Sequence, residues 1–204
     1  MNPDRKPGDV IHLPEPILRG CMILEESLAK RRSIREFSDE KLTLAEISQL
    51  LWAAHGVTEP QERLRTVPSA GALYPLEIYV ALTDGFYHHL PHPHELQQLT
   101  PKDLRPGIAR AALDQTFLYE APALFVITAV FARTARTYGQ DAVRYVSMET
   151  GHAAQNILLQ AVALGLGGVP IGAFYEQRLR KVLALPADHE PLYVIPVGHP
   201  RSSQ

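Results

Sequence analysis

At 204 residues, with 46% apolar and 21% charged side chains, the chain is long enough for one well-buried core and reads as a single domain. Lys and Arg number 20 against 22 Asp and Glu, a formal charge of -2, which excludes the basic footprint needed to grip a nucleic-acid backbone or an anionic membrane. Cys21 is the single cysteine, excluding an intrachain disulfide framework or cysteine-cage metal site, and no window approaches the ~20 apolar residues of a membrane span.

In chain order, residues 1–20, "MNPDRKPGDVIHLPEPILRG", lack the apolar core of a signal peptide and read as an extended, Pro-stiffened arm, with the domain proper over 21–204. The cytoplasm is the expected setting. A short helix over 22–30 ends in the cationic run "KRRSIREF". Thr43 and Glu46 have capping-box spacing and open an amphipathic helix with Leu44, Ile47, Leu50, Leu51 and Ala54 on one side and Gly56 as its stop. A loop, "RTVPSAGALYP", then leads into the strand "LEIYVAL", the turn "TDG" and a strand around "GFYHHL". From "TPKDL" to about Gln115 the pattern predicts a helix. "APALFVITAVF" is the most convincing central strand, uncharged and covered on both faces.

The longest predicted helix spans about 141–164, with Val143, Val146, Thr150, Ala153, Ile157, Ala161 and Leu164 at three- and four-residue intervals. A helix so apolar nearly all round must be buried on most sides, and a second copy of the chain is an economical cover, so a homodimer is predicted. "LGLGGVPIGAF" breaks the helix and enters a strand, "YEQRLRKVLAL" reads as an exposed helix and "EPLYVIPVGHP" as the final strand. The fold class is α+β.

Three segments could carry chemistry. Arg31, Arg32, Ser33 and Arg35 follow a helix; on extended backbone Arg31, Ser33 and Arg35 would face one way and present two guanidinium forks and a hydroxyl to a phosphate, although a solvated basic patch fits equally. In the loop, Pro68 and Pro75 bracket small Ser69, Ala70, Gly71 and Ala72, with Leu73 beyond, leaving room for backbone groups beside a flat heterocycle; an ordinary strand-leading loop is the bland alternative. His88, His89, His92 and His94 fall within seven residues, but Pro91 and Pro93 should hold them extended and divergent. They read as a solvent-facing hairpin near a substrate entrance rather than a metal site. "GLGG" lacks GxGxxG spacing and follows a helix, so no built-in dinucleotide site is indicated.

Together and in this order, "RRSIREF", "PSAGALYPLEIYV", "GHAAQNILLQAVALGLGGVPIGAF" and "VGHPR" resemble the FMN-dependent nitroreductase family, over about Ile11 to Arg201. "PSAGALYP" with "YGQDAVRYVSMETGHAAQN" is similar to its SagB-type peptide dehydrogenase branch, whose best-known members oxidise azolines to azoles. The resemblance implies a mainly antiparallel sheet flanked by helices, the long helix at a homodimer interface, and an FMN contacted by both subunits. It implies that Arg31 and Ser33 lie near the phosphate and ribityl chain, with Arg32 beside them, Arg35 at the pyrimidine edge and Arg201 at the phosphate. The loop from Pro68 to Pro75 would flank the isoalloxazine from the partner chain, and the turn of Pro170, Ile171, Gly172 and Ala173 would reach flavin N5 and O4.

Two departures stand out. Ala72 occupies a position where many nitroreductases carry an Asn. Azoline-oxidising members are associated with a Lys-Tyr pair where this chain has Thr137 and Tyr138, so Tyr138 is a candidate proton donor, or a tyrosine packed at a helix start, without its ammonium neighbour. The expected activity is an FMN oxidoreductase moving hydride or electrons between NAD(P)H or an organic donor and a small-molecule acceptor. The alternatives are a flavin-binding module without turnover and a peptide azoline dehydrogenase. Specificity is expected in residues 57–65 and 84–105.

Overall fold

The computed structural model describes residues 6–59, 61–62 and 64–201; the first five residues of the expected arm, the last three of the domain, and positions 60 and 63 lie outside the described residues. Its elements are β1 (Val10–His12), α1 (Leu24–Lys30), α2 (Leu44–His55), β2 (Val57–Glu59), β3 (Leu64–Arg65), β4 (Leu76–Leu82), β5 (Gly85–Leu90), β6 (Glu95–Thr100), α3 (Arg105–Ala111) and α4 (Phe117–Glu120). They are followed by β7 (Ala123–Ala129), α5 (Phe131–Tyr138), α6 (Ala142–Ala163), β8 (Gly167–Gly168), α7 (Glu176–Leu183) and β9 (Glu190–Gly198).

Seven strands form one sheet in the order β1-β6-β5-β4-β7-β9-β8, every neighbouring pair antiparallel, which bears out the α+β expectation. Alternation assigns the faces. Leu76, Ile78, Val80 and Leu82 of β4 and Phe125 and Ile127 of β7 pack with Ile47, Leu50 and Leu51 of α2 and Val146, Ala153 and Ile157 of α6. Tyr79, Ala81, Leu124 and Val126 point the other way, onto Ile108 of α3, Leu118 of α4 and Leu179 of α7.

The Thr43 capping box forms as predicted: Thr43 Oγ1 accepts the Glu46 N–H at 3.2 Å, and Glu46 accepts the Thr43 N–H at 2.7 Å. Gly56 ends α2 on extended backbone, and its lack of a side chain serves close packing instead: a Cβ there would sit 2.3 Å from the Trp52 ring.

Four expectations need correction. Val143 belongs to the outward side of α6, 62% exposed, because the buried register runs through Ala142, Val146, Glu149 and Thr150. The helix expected from "TPKDL" to Gln115 covers only Arg105–Ala111, since Leu113 and Asp114 turn left-handed at φ 63 and 54. The histidine hairpin faces solvent only at its tip, where His92 and Pro93 are exposed. His89 is 1% exposed, and Pro91 and Pro93 lie in the turn that closes β5 on β6, with His94 at φ 51, rather than in extended chain. Tyr138 ends helix α5 rather than starting one, where Gly139 at φ 56 breaks away.

Candidate functional site

The cationic run is fastened to the sheet edge through backbone. Ser33 pairs in parallel with Gly168 of β8, and the Ile34 N–H donates to the Gly168 carbonyl at 3.1 Å. Further on, Phe37 pairs with Pro200, and the Arg201 N–H donates to the Glu36 carbonyl at 3.0 Å. The turn Pro170–Ala173 is strapped to β9 by Ile171 N–H to Val194 O at 2.8 Å and the return bond at 3.0 Å. Arg31, Arg32, Ser33, Arg35, Pro170, Ile171, Gly172, Ala173 and Arg201 thus lie on segments fastened along the β8–β9 edge of the sheet.

Within that group the cations divide. Arg32 donates to the carbonyls of Ala29 and Arg31 at 3.0 and 2.7 Å, closing the C-terminal end of α1, where carbonyls otherwise lack partners. Arg201 donates to Phe37 O at 2.9 Å and lies 3.3 Å from Glu120. Among the described residues neither Arg31 nor Arg35 has an acidic partner, and Arg35 lies 5.9 Å over the Phe117 ring.

The loop from Pro68 to Pro75 is elsewhere. Gly168 aligns with Val197 of β9 and hence with Ala123 at the start of β7, whereas Leu76, just after the loop, pairs with Ala129 at its end. Six residue steps separate these pairs, about 20 Å along the strand. The structure therefore does not bring Pro68, Ser69, Ala70, Gly71, Ala72 and Leu73 to the arginines of the same chain.

The loop is held in a costly shape. Gly71, Ala72 and Tyr74 have φ of 62, 52 and 45, a region that L side chains disfavour. The Tyr74 N–H donates to Ser69 Oγ at 2.9 Å, Arg133 of α5 donates to the Tyr74 carbonyl at 3.0 Å, and Arg65 lies 5.0 Å over the Tyr74 ring. A methyl group on Gly71 would come within 3.0 Å of the Tyr138 hydroxyl, so Tyr138 packs directly on this loop. Thr137 beside it is exposed.

Sequence reasoning missed the groups beneath the loop. Ser69, Ala70, Tyr145, Met148, Glu149 and His152 line a cavity of ≈ 310 Å³ between the loop and α6. Glu149 is 3% exposed, and burial pushes its carboxyl up to about 7 against the opposing Ser69 hydrogen bond and Arg65 charge. The signal was present: Glu149 sits three residues after Val146 and four before Ala153, an acid inside the apolar register. His55, facing Arg65, is held neutral by burial and by that cation, its pKa lowered to about 3.

On the other sheet face Glu77 accepts from Arg133 and pairs with His88 at 2.7 Å. Burial alone would raise its pKa, but the His88 hydrogen bond and the Arg133 charge hold it down to about 2. The Tyr79 phenol and His189 Nδ1 lie 2.6 Å apart. Among the described residues no group of three or more His, Cys, Asp or Glu is placed to hold a metal ion, and no helix is long and apolar enough to cross a membrane.

Comparisons with known proteins agree on one family. The Nitroreductase family profile matches residues 28–199. A protein of Methanocaldococcus jannaschii, named a nitroreductase, is 43% identical over 197 residues, covering 94% of this chain and 98% of its own. A Ralstonia eutropha crystal structure described as a nitroreductase has a TM-score of 0.86 at 32% identity, covering 95% of this chain and 90% of the other. The microcin B17-processing protein of Escherichia coli is 28% identical over 138 residues, 62% of this chain and 50% of its own.

Proposed function

Because the chain belongs to the nitroreductase family, whose members generally hold a flavin, we propose that it is an FMN-dependent oxidoreductase acting as a homodimer, with each flavin between the arginine group of one subunit and the Pro68–Pro75 loop of its partner. The observation that carries this reading is the separation just described. Two segments suited to one ligand stand at opposite ends of β7, and a second copy can close the gap.

Each residue group fits the cofactor. Arg31 and Arg35 present unneutralised guanidiniums, and Arg31, Ser33 and Arg201 would hold the phosphate end. Gly71, Ala72 and Tyr74, in left-handed backbone, hold the loop open beside a planar ring. In the 170–173 turn Pro170 has no N–H and the Ile171 N–H is already bonded to Val194, so Gly172 and Ala173 are left as donors for the ring. When bound, FMN supplies hydride acceptance and donation at N5. Arg35 at the pyrimidine edge would place positive charge where reduction adds electrons, favouring the reduced ring.

NAD(P)H or an organic donor supplies the electrons, and a nitro compound, quinone or dioxygen takes them, the nicotinamide stacking transiently because the chain carries no dinucleotide fingerprint. The likeness to the microcin B17-processing protein favours a second reading, dehydrogenation of an azoline in a peptide. Thr137, where the azoline oxidisers carry Lys, weighs against it, leaving Tyr138 as the sole candidate proton donor of that pair.

Anaerobic mixing with NADPH tests the proposal. Bleaching of bound flavin supports turnover, whereas a chromophore inert to a wide panel of donors would leave a binding module. Arg31→Ala should weaken FMN binding, at a cost of roughly 1.5–3 kcal/mol for one charge-assisted hydrogen bond. Arg35→Ala should lower the flavin potential instead, and reversal of the two effects would overturn the assignment.

A further inference from the structure

We infer that Glu149 is a proton-holding acid of the cavity under the Pro68–Pro75 loop, and that its protonated form lets Ser69 present a hydrogen-bond donor to an acceptor-bearing planar ring bound there. That the ring is a flavin rests on the reading above; the acid itself does not.

The geometry starts from a single hydroxyl. Ser69 Oγ accepts the Tyr74 N–H at 2.9 Å, leaving one free lone pair and one proton. Glu149 of α6 lines the same cavity, close enough to Ser69 for the serine to draw its pKa down against burial, and among the described residues one Glu149 oxygen, Oε1, is buried without a partner. With the carboxyl ionised, the Ser69 proton is drawn to Glu149 and the hydroxyl has nothing to donate into the cavity. With the carboxyl protonated, its O–H can donate to the remaining Ser69 lone pair, and the serine proton is released toward the cavity.

The surroundings set the balance. Arg65 of β3 is the cation facing Glu149, with Arg133 and Glu77 lying around Arg65 in turn. On α6 itself Tyr145 precedes Glu149 by one turn and His152 follows by three residues, both lining the same cavity. Burial outweighs the Arg65 charge, which is why the carboxyl keeps its proton up to about pH 7. A residue needed only for packing and one hydrogen bond could be Gln; an acid in this register adds a proton that can leave.

Binding that needs the Ser69 donor selects the protonated form, so affinity is level below the carboxyl's pKa and falls above it, approaching tenfold per pH unit. The experiment measures the FMN Kd by fluorescence quenching from pH 6 to 9 for the intact protein and for Glu149→Gln. The amide of Gln donates to Ser69 at every pH. The expected result is a Kd that rises steeply above neutrality for the intact protein and stays level for E149Q, after the shared titration of the FMN phosphate is divided out. A level intact protein, or an E149Q protein with the same slope, overturns the inference.

Infrared titration of the ligand-free protein separates the two readings. A carboxylic C=O band that disappears around pH 7 and is missing in E149Q keeps the acid even if FMN fails to bind, an outcome that sinks the flavin reading alone. No such band at pH 6 overturns the acid whatever FMN does.

Discussion

Ile34 donates its backbone N–H to the Gly168 carbonyl at 3.1 Å, and Gly167 beside it has no room for a side chain: a Cβ there would lie 2.6 Å from Ile34 Cγ1 and 2.8 Å from Ile34 Cβ. This contact sets the cationic run against the sheet edge, two residues from the turn that begins at Pro170. Because Ile34 is touched near its own backbone, it cannot swing aside. Gly167→Ala should destabilise the fold by about 1–3 kcal/mol, the usual cost of overpacking. Thermal unfolding should fall by roughly 2–12 °C in a domain of this size, and an unchanged midpoint would show that the segment is not seated as described.

The loop offers a paired test at adjacent positions. Ala72 holds φ 52, a conformation that costs an L side chain about 1–2 kcal/mol, so Ala72→Gly should be neutral to stabilising by up to ~1 kcal/mol despite the added freedom of the unfolded chain. Gly71→Ala does the reverse, adding a methyl at φ 62 against the Tyr138 hydroxyl, and should cost about 1–2 kcal/mol. Urea unfolding of both variants reads the signs directly.

Acid should unfold the protein early. His55 and His89 are both buried, and burial holds each pKa below the ordinary 6.5, His55 at about 3 and His89 lower than its usual range by a wide margin. The unfolded chain therefore binds protons that the folded chain refuses once pH drops below 6.5. Each histidine then removes about 1.4 kcal/mol of stability per pH unit. Glu77 adds a second, lower window, because its depressed pKa contributes stability above the unfolded value of about 4.5 that is lost as pH falls toward 2. Denaturant titrations from pH 7 to 4 should show the steep loss for the intact protein and a shallower one for His89→Gln.

Much of the scaffold was legible because its signals were local. The alternation of Leu76, Ile78, Val80 and Leu82, the uncharged run through Phe125 and Ile127, and the Thr43–Glu46 box each encode their element within a few residues. What escaped depends on pairing at a distance. Strand β6 reads as polar sequence, yet Gln98 is 2% exposed and donates to the Tyr87 hydroxyl at 3.2 Å, a partnership visible only once β5 lies beside it. β1 is three residues long, and its order comes from β6. The arginines and the loop stood out by residue type as candidate ligand-binding segments. Their separation along β7, and the acid beneath Ser69, required the register of the strands and the face of α6.

The outward side of α6 should be a subunit interface. Val143 and Met148 are 62% and 54% exposed there, and Leu24 and Leu28 of the neighbouring α1 are 61% and 51% exposed. Met148→Arg replaces one of these exposed apolar side chains with a second cation one turn from Arg144. It should shift the protein to a monomer while leaving its circular dichroism intact, and it should lower FMN affinity at least tenfold.

Sedimentation velocity of the FMN-loaded protein, followed at the flavin and protein absorbance bands together, reads cofactor and assembly at once. The account predicts a single yellow boundary at the mass of two chains carrying one FMN per chain. Flavin riding stoichiometrically on a single-chain boundary, or a two-chain boundary that stays colourless at saturating FMN, would contradict it.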